Sequence, residues 1–282
     1  MRRRNAIASA VSSVCLFIAV AVPASAVTIY AEVNVTDKDL PDVNPGDGVC
    51  SASWIPMPNV ASCTLRAAVM ELNAYVSKNP YQDIFRVVHL PPGVYTLSLA
   101  GRGENAAQTG DLDILRSMTI AGTDPEHRAV INAHGIDRVF DVRAPTFVVE
   151  FYNLEITGGA EDKSTGDGQG GGIRVGFGAA GLIQNVRLWA NRAGVGGAIY
   201  NDGGRDADDQ SAARYLRIQS SELALNSLAE QGSNNPRGAA IFSRGKLQLY
   251  KSSIFLNSGD GGQRDPAIWA EPWNAALLQP EL

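Results

Sequence analysis

The feature that most constrains this chain is a repeat in its second half. Three segments line up: GGIRVGFGAAGLIQNVRLWAN from Gly171, GGAIYNDGG continuing into RYLRIQSSELALN, and GAAIFSRGKLQLYKSSIFLN from Gly238. Each opens on small residues and an Ile. Each closes on an apolar residue three places before an Asn: Leu188 and Asn191, Leu223 and Asn226, Ile254 and Asn257. A fourth opening, PAIWAEPW, starts at Pro266. Equivalent small residues lie 25 apart from Gly172 to Gly197 and 27 apart from Ala239 to Pro266, whereas the 42 from Gly197 to Ala239 implies an insertion. Within the units, apolar and polar residues alternate, as in Leu247 and Leu249 against Gln248 and Tyr250. Short alternating strands punctuated by glycine at a near-fixed period bury their apolar face only by stacking on their own copies, which predicts an all-β parallel solenoid. A β-sandwich would show regular strand spacing without the repeated small-small-Ile opening. The recurrent Asn191, Asn226 and Asn257 read as a structural corner ladder, because Asn tolerates the left-handed conformation and its amide can bond the neighbouring turn.

The amino terminus reads as a leader. MRRRNAIASAVSSVCLFIAVAVPASA has three arginines, an apolar run from Val14 to Val22 and small residues up to Ala26, which predicts a signal peptide over 1–26, cleaved after Ala26, and an exported protein. The run is well short of the roughly 20 apolar residues of a membrane span, so no span is expected in the mature chain. Without Arg2, Arg3 and Arg4 the chain keeps 21 basic residues against 29 acidic ones. That excess of acid excludes nucleic acid as a natural partner.

Of three cysteines, Cys15 falls in the leader. Cys50 and Cys63 remain for an oxidising compartment, where a disulfide is the default. Two cysteines with no nearby His are too few for a structural zinc site and mark no nucleophile. A closed loop of this length removes unfolded-state entropy worth roughly 3 kcal/mol. The following CTLRAAVMELNAYV places Leu65, Ala68, Val69, Leu72 and Val76 on one helical face, with Thr64 as N-cap. A lone amphipathic helix ahead of a solenoid is suited to cover its open first turn.

DVNPGDGVC followed by CTLRAAVMELNA resembles the N-terminal CSLREA motif of secreted bacterial right-handed β-helix proteins, with Cys63-Thr64-Leu65-Arg66-Ala67-Ala68 at the motif itself. LPPGVYTLSLAG, TGDLDI and INAHGIDRVFDV resemble that family's early turns, and the later GGAI and apolar-x-x-Asn units are similar to polymorphic outer-membrane protein repeats. The chain departs from the motif at Ala67, where the family has Glu, and no role is assigned to that position. The resemblance implies a right-handed parallel β-helix with the broader pectate-lyase-like superfold. Its expected layout is a cap over 27–80 and rungs over 81–282, the last incomplete at the C-terminus. A possible end-to-end homodimer follows from that open rung.

The resemblance implies no reaction, and the chemistry in the residues is modest. Asp202, Asp206, Asp208 and Asp209 form an oxygen-rich loop in the insertion; Asp206, Asp208 and Asp209 are the candidate Ca2+ ligands, but the loop lacks an EF-hand spacing and reads first as exposed and solvated, so no cofactor is expected beyond that candidate Ca2+. Asp111 and Asp113 in GDLDI sit at alternate strand positions, with Asp113 expected to face solvent between Leu112 and Ile114. Arg138 and Arg143 bracket RVFDVR on what reads as the outer face of a strand, a solvated surface by default and otherwise one that meets an acidic glycan. These four are the ligand-binding candidates. His89, His127 and His134 are the only histidines and lack metal-ligand spacing. Trp189, Tyr200, Tyr250, Trp269 and Trp273 recur in the rungs as buried stacks or sugar platforms. The expected function is a surface protein presenting a lateral face to polysaccharide or another envelope component, with a polysaccharide lyase or glycosidase as the alternative. Fold analogy is all that favours an enzyme.

Overall fold

The computed structural model describes residues 26–52, 62–79, 82–143, 148–161, 166–203, 215–229, 237–259 and 266–270. Residues 1–25, which hold most of the expected signal peptide, the loop holding Asp206, Asp208 and Asp209, and Trp273 lie outside the described residues. No helix among the described residues is long and apolar enough to cross a membrane.

The chain is all-β with parallel sheets, and its strands recur in a fixed order. After β1 (Val27–Glu32) and the helix α1 (Leu65–Ala74) come β2 (Ile84–Leu90), β3 (Val94–Thr96) and β4 (Leu112–Ile114), then β5 (Met118–Gly122), β6 (Ala129–Asn132) and β7 (Phe140–Val142). The next pass adds a short fourth strand: β8 (Val148–Tyr152), β9 (Leu154–Thr157), β10 (Ala160–Glu161) and β11 (Ile173–Val175). Two more passes repeat it, as β12 (Ala180–Gln184), β13 (Arg187–Trp189), β14 (Arg192–Ala193) and β15 (Ile199–Asn201), then β16 (Tyr215–Gln219), β17 (Glu222–Ala224), β18 (Ser227–Leu228) and β19 (Ile241–Ser243). The described strands end with β20 (Lys246–Tyr250), β21 (Ser253–Phe255) and β22 (Ile268–Ala270). One sheet runs β1-β2-β5-β8-β12-β16-β20, a second β3-β6-β9-β13-β17-β21, a third β4-β7-β11-β15-β19-β22, and β10-β14-β18 form a small fourth. Each pass lays its strands beside their counterparts from the pass before, an arrangement compatible with a parallel β-helix.

The sequence repeat and the strand register coincide. The opening isoleucines stack as Ile173 on Ile199, Ile199 on Ile241 and Ile241 on Ile268, and the closing apolar residues as Leu188 on Leu223 on Ile254. The first interval is one residue longer than the glycines suggest, so Gly171 and not Gly172 is level with Gly197. The residue that needs glycine sits one place earlier. Gly170, Gly196 and Gly238 have φ of 63°, 66° and 68°, and a Cβ on any of them would collide with the carbonyl of the Ile three places on. The inward side chains, from Val88 and Leu90 through Phe140 and Phe151 to Ile218 and Ile241, form one continuous core.

At the corner after the second sheet, Asn191 and Asn226 are fully buried. Asn226 Nδ2 donates to Leu188 O at 3.0 Å and to Asn257 Oδ1 at 2.9 Å, while Asn226 Oδ1 accepts from the Asn191 backbone at 3.0 Å. The left-handed residue here is the one before each Asn: Ala190, Leu225 and Leu256 have φ of 52°, 57° and 54°. The amide ladder therefore carries the Asn preference at this corner. At the corner between the first two sheets, by contrast, Asn153 and Asn185 themselves are left-handed, at 55° and 54°.

α1 begins at Thr64, whose hydroxyl accepts from Ala67 N at 3.1 Å. Leu65, Ala68, Val69 and Leu72 join the core as their spacing suggests, but Leu65 through Asn73 are all buried, so the helix has no solvent face. Val76 is a correction: it is 69% exposed, because the helix ends at Ala74 and Tyr75 turns to extended backbone. The Cys50–Cys63 disulfide joins the segment before α1, and Glu71 accepts from the Gly46 and Gly48 amides. Arg66, wholly buried, forks onto Asp39 with Nε to Oδ1 at 2.6 Å and Nη2 to Oδ2 at 3.1 Å. Its remaining donors reach the carbonyls of Ala107 at 2.9 Å and Gly110 at 2.8 Å. Asn73 binds the backbone on either side of Ile114, donating to Asp113 O and accepting from Leu115 N. The helix thus fixes both ends of β4.

Candidate functional site

The third sheet places charge in a column. Strands β4, β7 and β11 are three-residue elements of one pattern, Leu-Asp-Ile, Phe-Asp-Val and Ile-Arg-Val, in which the flanking apolar side chains enter the core and the central one points away from it. Their register sets Asp113 beside Asp141 and Asp141 beside Arg174. Farther along, the same column becomes Tyr200, Phe242 and Trp269, with the Tyr200 and Phe242 rings stacked 5.2 Å apart. Gly110, just before β4, has φ of 62° and lies so close to the Gly101 carbonyl that a side chain would not fit. That tight turn brings Asp111 onto the same face.

Around this column lies a groove of about 390 Å³ lined by Arg102 to Asn105, Asp111, Asp137, Arg138, Asp141, Arg143, Glu161, Gly166 and Asp167. Arg138 Nε sits 2.9 Å from Asp111 Oδ2, and its Nη2 sits 2.8 Å from Asp167. Arg143 and Arg174 hold the two oxygens of Asp141, each at 2.9 Å. Arg102 pairs with Glu161 at 2.6 Å. Asp113 lies beneath, fully buried: its Oδ2 accepts from Ala107 N at 2.9 Å, its Oδ1 has no hydrogen-bond donor, and Arg143 comes no nearer to Oδ1 than 3.7 Å.

Four guanidiniums (Arg102, Arg138, Arg143, Arg174) face seven carboxylates (Glu104, Asp111, Asp113, Asp137, Asp141, Glu161, Asp167), so the described groove is negative overall. Burial, reinforced by Asp113, Asp137 and Asp141, pushes the Asp111 carboxyl up to about 9 despite Arg138. Burial likewise pushes Asp113 up to about 7, with Asp141 adding to it, and Glu161 up to about 7. Burial works against the charge on Arg138, but Asp141, Asp167 and Asp111 outweigh it and hold the guanidinium protonated. The site therefore combines fixed cations with carboxyls that keep protons into the neutral range.

No family model, curated protein or solved structure matches the chain.

The structure brings together four residues that the sequence treats as two separate pairs, Asp111 with Asp113 and Arg138 with Arg143. Two features of that reading need correction. Asp113 does not face solvent, because Ala107 and the α1 side chain Asn73 close over its strand. Arg138 is not on a solvated surface either: only 7% of its side chain is exposed. Asp206, Asp208 and Asp209 lie outside the described residues, whereas Asp202 pairs with Arg244 at 3.4 Å. Of the aromatics, Tyr200 is buried, Tyr250 is exposed, and Trp189 and Trp269 are half-buried. Among the described residues, the one group of three ligand side chains close enough to share a metal is Asp111, Asp113 and Asp141. His89 and His127 pair with Glu32 and Asp124 instead. Asp141, Arg174, Arg102, Glu161 and Asp167 are additions that no motif marks. The one signal for the first two is the recurring apolar-charged-apolar triplet, visible only once the strands are in register.

Proposed function

We propose that the chain is an exported right-handed parallel β-helix of the cell surface or extracellular space, closed at its first turn by α1 and the disulfide-bonded segment, whose lateral groove over β4, β7 and β11 holds a saccharide chain. The observation that carries this reading is the groove itself. Its volume falls within the range of ordinary ligand sites. Its wall alternates guanidinium donors with carboxylate acceptors, the pairing that sugar hydroxyls need because each both donates and accepts. The leader-like terminus, the disulfide and the resemblance to CSLREA-motif proteins support the export part of the reading.

A second reading, a polysaccharide-cleaving enzyme, has one observation in its favour. Asp111, Asp113 and Asp141 offer oxygens within 4.8 Å of one another, and burial keeps a proton on some of them, as an acid and base pair requires. Against it, Asp113 is wholly buried and both oxygens of Asp141 already face guanidiniums. The test is an array of neutral and acidic oligosaccharides probed with purified protein, followed by reducing-sugar and unsaturated-uronate assays on whatever binds. Binding without turnover is the expected result. Turnover that disappears in Asp141→Asn would establish the enzyme, and a blank array would defeat the saccharide reading.

A further inference from the structure

We propose that Asp111, Asp113 and Asp141 form a Ca2+ site beneath the groove, with Arg143 as a side chain that the ion displaces. The geometry fits one ion: the three carboxylates each place an oxygen within 4.8 Å of the others, and oxygens bound to a single Ca2+ at about 2.3–2.6 Å lie no more than about 5 Å apart. A second observation points to a ligand independently of that spacing. Asp113 Oδ1 belongs to a side chain with no exposed surface, faces Asp141 across the Arg143 Nη1 that lies 3.7 Å from it and 2.9 Å from Asp141 Oδ2, and has no hydrogen-bond donor. A buried carboxylate oxygen without a donor is costly, and a cation is one of the few partners that can relieve it.

The neighbouring arginines divide into two kinds. Arg138 is buried, hydrogen-bonded to Asp167 and Gln169 O and ion-paired with Asp111 Oδ2 at 2.9 Å, and Arg174 is bonded to Asp141 Oδ1. Arg143 is different: 37% of its side chain is exposed, and it spans Asp141 Oδ2 at 2.9 Å and Asp113 Oδ1 at 3.7 Å. Swinging Arg143 into the groove frees those two oxygens, and Asp111 contributes the third carboxylate oxygen of the group. Oxygen-only ligands with no nitrogen or sulfur select a hard cation. Several carboxylates in one buried cluster suit Ca2+ better than Mg2+, which keeps most of its water. The surplus of carboxylates over guanidiniums in the groove supplies the charge. The site does not require a saccharide above it.

The test is calorimetric titration of the chelator-treated protein with CaCl2, with MgCl2 at matched ionic strength as control and thermal melts alongside. Saturable Ca2+ binding is expected with a dissociation constant of about 10⁻⁴ to 10⁻³ M, together with a raised melting temperature. Asp113→Asn should weaken it about ten-fold or more, and Arg143→Gln should tighten it. Should Asp113→Asn fail to fold by circular dichroism, Asp141→Asn provides the same reading. The combined Asp206→Asn, Asp208→Asn, Asp209→Asn variant should bind as the parent does. Absence of saturable Ca2+ binding, binding unchanged in Asp113→Asn, or binding lost only in the triple variant would each overturn the site. Weaker binding in Arg143→Gln would overturn the displacement.

Discussion

At the residue scale, the most consequential side chains are polar groups inside the fold. Asn226 is buried, and its amide serves Leu188 O and Asn257 while its oxygen serves Asn191. Asn226→Ala would strip partners from the Asn191 amide and the Leu188 carbonyl, each unmet buried group costing about 1–3 kcal/mol, so a loss of about 3 kcal/mol is expected in denaturant melts. A loss below about 1 kcal/mol would mean that the ladder is dispensable. Tyr95 and Tyr200 carry a pH prediction. Burial pushes both phenols up to about 12, and Asp202 adds to the effect on Tyr200. An unfolded tyrosine loses its proton near pH 10, so between about 10 and 12 the folded state binds more protons than the unfolded one. Their contribution is intact below pH 10 and lost as pH rises towards 12. Thermal melts should show that fall in the parent chain, and the Tyr95→Phe, Tyr200→Phe variant should show a shallower one. Equal slopes would contradict the assignment.

At the element scale, α1 both packs the core and locates the site. Arg66 ties it to Asp39 and to the loop that delivers Asp111, while Asn73 ties it to the strand that delivers Asp113. Arg66→Met would leave Asp39 as an unpaired buried charge and should cost about 3–5 kcal/mol. Replacing both partners, as in Arg66→Met with Asp39→Leu, should cost clearly less; because Asp39 Oδ2 also accepts from Ser98 N and Leu99 N, an equal or larger loss would show that those amides and the Arg66 carbonyl contacts together outweigh the ion pair. This element also shows how far the sequence could be read. Helical spacing gave the apolar residues of α1, and the repeated small-small-Ile opening gave the stacked isoleucines, because both patterns record burial against the local core. Neither pattern records what covers the opposite face. Asp113 occupies an outward strand position and reads as solvent-facing, yet a loop some six residues earlier and a helix about forty residues earlier close over it. Arg66 was legible only as part of a motif, since its partners at Asp39, Ala107 and Gly110 are far apart in the chain.

At the scale of the whole molecule, stacking turns a weak local pattern into a site. A single Asp between two apolar residues signifies little; two such strands and an Arg counterpart in register make a charged wall, and the loops at 102–105 and 166–167 complete a groove over it. The aromatic continuation of the same column, Tyr200 and Phe242, shows that the outward face changes character along the sheet. On this account the ligand lies at the charged end, over β4, β7 and β11. The most direct measurement compares the parent chain with Arg102→Ala, Arg143→Ala on the oligosaccharide array, these two arginines being partly exposed at the groove. The account predicts that the parent binds and that the folded double variant loses most of that signal. Binding retained by the variant, or none by the parent, would contradict it.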